Sequence, residues 1–279
     1  MKADVLIVGG GLAGLSLAVA LRKARLSVVL VEGRAPVRAN GWDSRIYAIS
    51  PANAVFLESI GVWKHLDASR LTAVEAMEIH GDAGGRMNFS AYNAGLDALA
   101  WIVESSAMQQ ELWESAKRQA NLTLLCPAQP QSLIRNDAGA ALTLADGRTV
   151  EAALVVAADG AASWSRNAAG IEVAFHSYDQ LGVVANFECE QPHRGTAFQW
   201  FRDDGVLAWL PLPDQMFSMV WSTPETNAIE LLALSSENLS ERVAQAGAHR
   251  VLRRGSARPV PAMAQSRGAV RRRRGRCRR

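Results

Sequence analysis

Residues 4–21 read DVLIVGGGLAGLSLAVAL, and the meaning of this stretch decides the fold. DVLIV (4–8) is a short run of branched apolar residues, the pattern of a strand buried on both faces. A glycine cluster follows at once, and residues 12–24 suit a helix with small residues on its packing face. Residues 27–32, SVVLVE, read as a second strand parallel to the first. Together they make a βαβ unit of about 30 residues. The apolar run is about 17 residues, short for a membrane span. A single lysine precedes it and no small-residue cleavage site follows, so a buried strand-turn-helix is expected in place of a signal peptide.

The cluster Gly9-Gly10-Gly11-Leu12-Ala13-Gly14 matches G-x-G-x-x-G between that strand and that helix. Gly9 permits the tight turn, Gly11 lets backbone amides approach a pyrophosphate, and Gly14 lets helix and strand pack closely. Leu12 and Ala13 open the helix, whose N-terminus faces the phosphate charge. Glu32, followed by Gly33, ends the second strand 18 residues after Gly14. A carboxylate there accepts hydrogen bonds from ribose hydroxyls and disfavours a 2′-phosphate, which points to NAD or FAD over NADP.

The 279 residues are nearly half apolar (49%) and one-fifth charged (20%), enough for one sizeable core split into two domains. The net charge of +3 is unevenly placed. Residues 250–279 hold twelve arginines and no acid, so residues 1–249 carry 18 basic and 27 acidic side chains and a net charge of −9. An acidic body offers no footprint for nucleic acid. Cys126, Cys189 and Cys277 are far apart and form no CxxC pair, which fits a reducing, cytoplasmic setting and neither a disulfide framework nor a zinc site. The five histidines show no metal spacing, and no nucleophile-base signature marks a catalytic side chain.

Further along, Ser50-Pro51 opens a helix that Gly61 is placed to end. Residues 105–120 suit a helix with Met108, Leu112 and Trp113 on one stripe. AFQWF (197–201), VLAWLPL (206–212) and MFSMVWS (216–222) read as antiparallel strands separated by RDDG and PDQ. Ala-Asp-Gly occurs twice. At 145–147 it is a hairpin turn. At 158–160 it ends the apolar run ALVVAA and begins Asp159-Gly160-x-x-Ser163-x-x-Arg166, which puts a carboxylate at the carboxyl edge of a parallel sheet, where ligands sit.

The combination of G-x-G-x-x-G, Glu32 and D-G-x-x-S-x-x-R resembles the class A flavoprotein aromatic hydroxylases, typified by para-hydroxybenzoate hydroxylase. Residues 180–224 (QLGVVANF to VWSTP) and 101–115 (WIVESSAMQQELWES) resemble the ubiquinone-biosynthesis branch, and the similarity covers residues 3 to about 245. The resemblance implies an α/β fold: a Rossmann-like FAD-binding parallel sheet (1–66 and 102–168) with an inserted antiparallel substrate sheet (67–101 and 169–236). It implies FAD as cofactor and NAD(P)H as co-substrate, with Asp159-Gly160 in a motif associated with both. Arg45, in DSRIYAIS, matches a family arginine near the flavin, and Gln109 a glutamine at the flavin edge. The branch often has Arg where this chain has Ser106. The implied activity is hydroxylation of a small aromatic substrate, a polyprenyl phenol, by dioxygen. The implied setting is the cytoplasm, with peripheral association at the inner membrane or in a ubiquinone-biosynthesis complex. Plainer readings stand beside these. Arg45 serves as a surface ion-pair residue, Gln109 is solvated, Arg166 caps a helix, and Trp200, Trp209 and Trp221 are sheet core.

The family also has a second motif, G-D-A-A-H, after the substrate sheet. Here Gly81-Asp82-Ala83-Gly84-Gly85 lies between EAMEIH and RMNFSA and reads as a strand-turn-strand connection. From about residue 246 apolar periodicity ends, and arginine alternates with Gly, Ala, Ser and Pro. The sequence alone therefore predicts a disordered Arg-rich tail over 246–279, with the C-terminal part of the fold missing through truncation or a frameshift; the alternative is a functional basic tail for anionic lipid or nucleic acid. Two alternatives to the hydroxylase stay open: another FAD or NAD oxidoreductase, and an inactive fragment that does not retain FAD. Intact-mass measurement of the native protein with resequencing around codon 246 checks the frameshift; a confirmed frame ending in RRGRCRR refutes it.

Overall fold

The computed structural model describes residues 1–136, 139–175, 177–248, 259–267 and 270–271. The chain runs β1 (Lys2–Val8), α1 (Leu12–Ala20), β2 (Val28–Val31), β3 (Ile46–Ile49), α2 (Pro51–Ser59), β4 (Thr72–Val74), β5 (Ala76–His80), β6 (Arg86–Ser90) and α3 (Ala91–Ala94). It continues through β7 (Ala100–Glu104), α4 (Ser105–Lys117), β8 (Leu122–Leu125), β9 (Pro130–Asn136), β10 (Gly139–Leu144), β11 (Thr149–Ala157) and α5 (Trp164–Ala168). The last part comprises β12 (Ala174–Phe175), β13 (Gln180–Glu188), β14 (Thr196–Arg202), β15 (Gly205–Leu212), β16 (Met216–Pro224), α6 (Glu225–Ala233), α7 (Ser236–Ala246), β17 (Pro259–Arg267) and β18 (Val270–Arg271).

One six-stranded sheet has the order β8-β2-β1-β11-β10-β9. Its first four strands are mutually parallel, and β11-β10-β9 is an antiparallel meander. The apolar run of β1 is buried on both faces, as its composition requires. Val5 and Ile7 join Leu15, Val19, Leu112 and Trp113 of α1 and α4. Leu6 and Val8 join Leu142, Leu144 and Val150 of the β10-β11 hairpin.

The second sheet has seven strands in the order β17-β13-β16-β15-β14-β5-β6, antiparallel except for β14 with β5. Alternation divides its two faces. Phe187, Trp200, Trp209, Phe217 and Trp221 pack beneath α6 and α7 against Leu231, Leu239 and Val243, so the plainer reading of these tryptophans as sheet core holds. The opposite face, with Ala197, Leu212 and Met216, meets Val74 and Ile102 of a small antiparallel sheet, β3-β7-β4.

Local signals are placed where their chemistry demands. Ser50 Oγ accepts the Asn53 amide at 3.4 Å, and the Gly61 amide closes α2 on the Glu58 carbonyl at 2.8 Å. Gly81–Gly85 is the turn between β5 and β6. The helix expected over 12–24 gives way to a 3₁₀ turn at Leu21–Lys23, and the one expected to 120 ends at Lys117. The expectation of disorder from 246 also differs from the structure: Ala246 ends α7, and 259–267 pair with β13. Without that strand β13 would present a row of unpaired backbone donors and acceptors. The tail positions 249–258, 268–269 and 272–279, with Cys277, lie outside the described residues.

Leu231 is fully buried between α6 and the aromatic face. Leu231→Ala is expected to lower unfolding free energy by about 2–5 kcal/mol, read as a fall in the urea midpoint.

Candidate functional site

The site forms where β1, β2 and β11 end. Their register places Val8 beside Val31 and Ala157, so the residues that follow, the glycine loop, Glu32 and Asp159, leave the sheet at one edge. Gly9 sits at φ +110°, and a Cβ there would strike the Ala158 carbonyl. A Cβ on Gly14 would strike the Gly9 carbonyl, so these two glycines are needed for the turn itself. Gly11 differs: nothing lies within 4 Å of its Cβ position. It is the N-cap of α1, supplies no capping side chain, and no acid occupies the first turn with Leu12, Ala13 and Gly14. The helix therefore turns unmasked positive dipole toward open space, the arrangement that suits a pyrophosphate.

Two side chains hold this loop. Glu32 accepts the Gly10 amide on Oε2 at 2.5 Å and the Arg34 amide on Oε1 at 3.0 Å, so the acid is tied to the loop as well as to the end of β2. Gln109, on α4, donates from Nε2 to the Gly10 carbonyl at 2.8 Å, which replaces the solvated reading with a structural contact. Gly33 lies against Gln129, whose Nε2 would be 2.5 Å from a Cβ on that glycine. Burial raises the pKa of Cys126, and the nearby Glu32 carboxylate raises it further, so the thiol stays protonated.

Asp159 follows β11, with Gly160 next at φ +85°. Its carboxylate accepts from Ser163 Oγ and, at 2.8 Å, from the Ser165 amide. Ser163 in turn accepts the Arg166 amide at 2.9 Å, and Arg166 donates to the Ala161 carbonyl at 2.9 Å. The D-G-x-x-S-x-x-R motif thus builds its own turn. Burial pushes the Asp159 carboxyl up, but the Ser163 and Ser165 donors outweigh it and hold the group below the ordinary carboxylate value.

Arg45 is exposed; its amide binds Asp43 Oδ1 at 2.9 Å, and no contact places its side chain in an ion pair among the described residues. The network beneath it was not legible in the sequence. Glu104, 3% exposed, takes two hydrogen bonds from Arg70 and the Asp43 amide at 2.6 Å. Arg70 also donates to the Gly41 carbonyl at 2.7 Å and covers the Trp42 ring at 4.2 Å. Asp43 accepts the Ser106 amide at 2.9 Å, so Ser106 fastens the loop to α4 through its backbone. An acid ending the apolar strand WIVE was the one available signal.

A groove lined by Lys2, Ala3, Ala140, Glu151 and Ala152 lies at the amino end of β1. It is at the wrong end of the sheet, since open α/β sheets take ligands at the carboxyl edge.

A sequence profile described as FAD binding domain matches residues 2–277. The chain belongs to the FAD binding domain family. Ubiquinone hydroxylase UbiL of Rhodospirillum rubrum is 37% identical over 238 residues, covering 85% of this chain and 55% of that protein. The 3-demethoxyubiquinol 3-hydroxylase of Escherichia coli is 32% identical over 245 residues, covering 87% of this chain and 63% of that one. The chain thus spans little more than half the length of the first of these curated relatives and less than two-thirds of the second. The same fold appears in pqsL, a probable FAD-dependent monooxygenase from Pseudomonas aeruginosa (TM-score 0.73, 24% identity, 94% of this chain and 73% of that one). It appears again in p-nitrophenol 4-monooxygenase PnpA from Pseudomonas putida (TM-score 0.72, 16% identity, 95% and 68%). As an FAD binding domain family member, the chain has a glycine loop that fits the cofactor's pyrophosphate: the space at Gly11 is what a Cβ would fill.

Gly11→Ala is expected to leave the thermal midpoint unchanged and to weaken FAD uptake. Gly14→Ala should instead cost about 1–3 kcal/mol of stability or more, measured by urea unfolding. The lowered Asp159 pKa contributes stability above the unfolded carboxylate value of about 3.9, and that contribution is lost as pH falls through the folded value. Asp159→Asn should therefore be less stable than wild type at pH 7, with the gap in urea midpoint closing below pH ~3.9.

Proposed function

We propose that this protein is an FAD-dependent monooxygenase that hydroxylates an aromatic ring, a polyprenyl phenol of ubiquinone biosynthesis, with NAD(P)H and dioxygen as co-substrates. The observation that carries the reading is the convergence of the Gly11 opening, Glu32 and Asp159 at one sheet edge. The names of the two curated relatives support the substrate class.

In this reading residues 1–66 and 102–168 hold FAD, and 67–101 with 169–236 form the substrate sheet. The amides of Gly11, Leu12, Ala13 and Gly14 meet the pyrophosphate, with Gly9 shaping the turn. Glu32 and Gly33 meet the adenosine ribose, and Asp159-Gly160 closes the crevice opposite. Gln109 and Arg45 lie toward the ring system. Bound FAD supplies the electron transfer that links NAD(P)H to dioxygen. The protein's own residues bind, orient and exclude water. The apolar wall of Leu212, Met216, Val74 and Ile102 supplies the dry side. Among the described residues no helix is long and apolar enough to cross a membrane, and the proposed encounter with a polyprenyl substrate is peripheral, at the inner membrane surface or in a biosynthetic complex.

A second reading, a protein that does not retain FAD, draws on one observation: Gly81-Asp82 lies in the β5-β6 turn and does not serve as the family's second G-D motif. Visible absorbance of the purified protein, followed by NADH and NADPH oxidation assays, separates the two. The hydroxylase reading expects a yellow protein whose nicotinamide oxidation requires a phenol. A colourless protein that takes up no added FAD overturns it.

A further inference from the structure

The face of the large sheet turned away from α6 and α7 contains two polar side chains that its surroundings do not satisfy. Asn186 on β13 and Ser218 on β16 are direct cross-strand neighbours, and Leu210 of β15 continues the row. Both are fully buried, 0% exposed. Asn186 Oδ1 and Ser218 Oγ have no hydrogen-bond partner. The Asn186 amide is oriented, because Nδ2 donates to the Asp43 carbonyl at 3.4 Å and so leaves Oδ1 as the free acceptor. In the next row Leu212 stands opposite Met216, with Glu188 at its β13 end.

Apolar side chains would fill these positions without penalty, whereas an unmade hydrogen bond in a buried site is costly. The buried indole N–H groups of Trp209 and Trp221 are different, since each comes with a large ring that the core uses. Adjacent positions holding one acceptor and one hydroxyl, in an apolar wall beneath the loop that carries Arg45, call for a ligand with one hydroxyl on an apolar ring. We infer that Asn186 and Ser218 together hold the ring hydroxyl of a neutral phenol, which donates to Oδ1 and accepts from Oγ–H, with the ring against the half-buried Leu210. This rests on the hydroxylase reading and narrows it. A free amide oxygen repels a carboxylate, so the pair selects phenols over benzoates.

The test is calorimetric titration of the full chain, supplied with FAD, using 4-hexylphenol and its methyl ether, 4-hexylanisole. Wild type is expected to prefer the phenol by about tenfold. Asn186→Leu and Ser218→Ala should each bring the two affinities to within about twofold without weakening the ether. Removing an unpartnered hydroxyl should leave the thermal midpoint of Ser218→Ala equal to or above that of wild type. A variant that keeps the full phenol preference, or a Ser218→Ala midpoint below wild type, overturns the assignment. If Asn186→Leu does not fold, Ser218→Ala decides alone. FAD uptake is read by absorbance in the same samples. Wild type that takes up FAD but binds phenol and ether alike overturns the pair only. Wild type that takes up no FAD and binds neither probe overturns the hydroxylase reading and the pair with it.

Discussion

Because β1 pairs in parallel with β2 on one side and with β11 on the other, three segments far apart in the chain must leave the sheet at the same edge. Parallel pairing requires crossovers, so each strand end is followed by a turn and not a hairpin. The first turn carries the glycines, the second begins at Glu32 and the third begins at Asp159. None of these residues needs a long-range contact to reach the site, since backbone register delivers all three. The glycines have unequal tasks within it. Gly9 and Gly14 let the backbone fold back on itself, while Gly11 keeps a volume clear in front of an uncapped helix.

The layer above this edge depends on an ion pair whose carboxylate is buried. Glu104 ends β7 and directly precedes α4, so the carboxylate that binds Arg70 sits at the junction between the small sheet and the helix that carries Gln109. Removing Arg70, whose side chain is 25% exposed, would leave the buried Glu104 carboxylate without its charge partner, at a cost of up to about 3–5 kcal/mol. Glu104 also receives the Asp43 amide, and Asp43 receives the amides of Arg45 and Ser106. One carboxylate thereby fixes the path of the loop that presents Arg45. The Asn186 contact to the Asp43 carbonyl ties the large sheet to the same loop.

Much of this was legible in the sequence wherever a local rule had one solution. DVLIV followed by G-x-G-x-x-G admits few folds, Asp146-Gly147 between alternating runs makes a hairpin, and Ser50-Pro51 starts a helix. The tripeptide Ala158-Asp159-Gly160 could be told from its twin at 145–147 because only one follows a continuous apolar strand. What stayed hidden was pairing across long separations. Nothing in the local pattern of Arg70 names Glu104, 34 positions away. Gln109 was placed by family resemblance near a cofactor, but its partner within the fold, the Gly10 carbonyl, is 99 positions distant. The pairing of 259–267 with β13 was missed for a related reason. A tail in which arginine alternates with Gly, Ala, Ser and Pro reads as solvated, whereas the demand for a strand comes from the open edge of β13, not from the segment itself.

The two faces of the seven-stranded sheet show how one element serves stability and recognition separately. Alternation sends Phe187, Trp209, Phe217 and Trp221 to one side, where α6 and α7 seal them. Their rings meet at close range, Trp209 and Phe217 with centroids 4.8 Å apart. That face gains its stability from size and shape and leaves no room for a ligand. The residues between them, Asn186, Ser218 and Leu210, lie on the other face, where Asn186 reaches the loop at Asp43. A register slip of one residue would exchange the two sets, turning tryptophans toward the Asp43 loop and polar groups into the aromatic core. The nine-residue pairing of β13 with β16 excludes such a slip. The heavy aromatic investment on the sealed side therefore acts at a distance on the other, holding the polar pair at a fixed position against the loop.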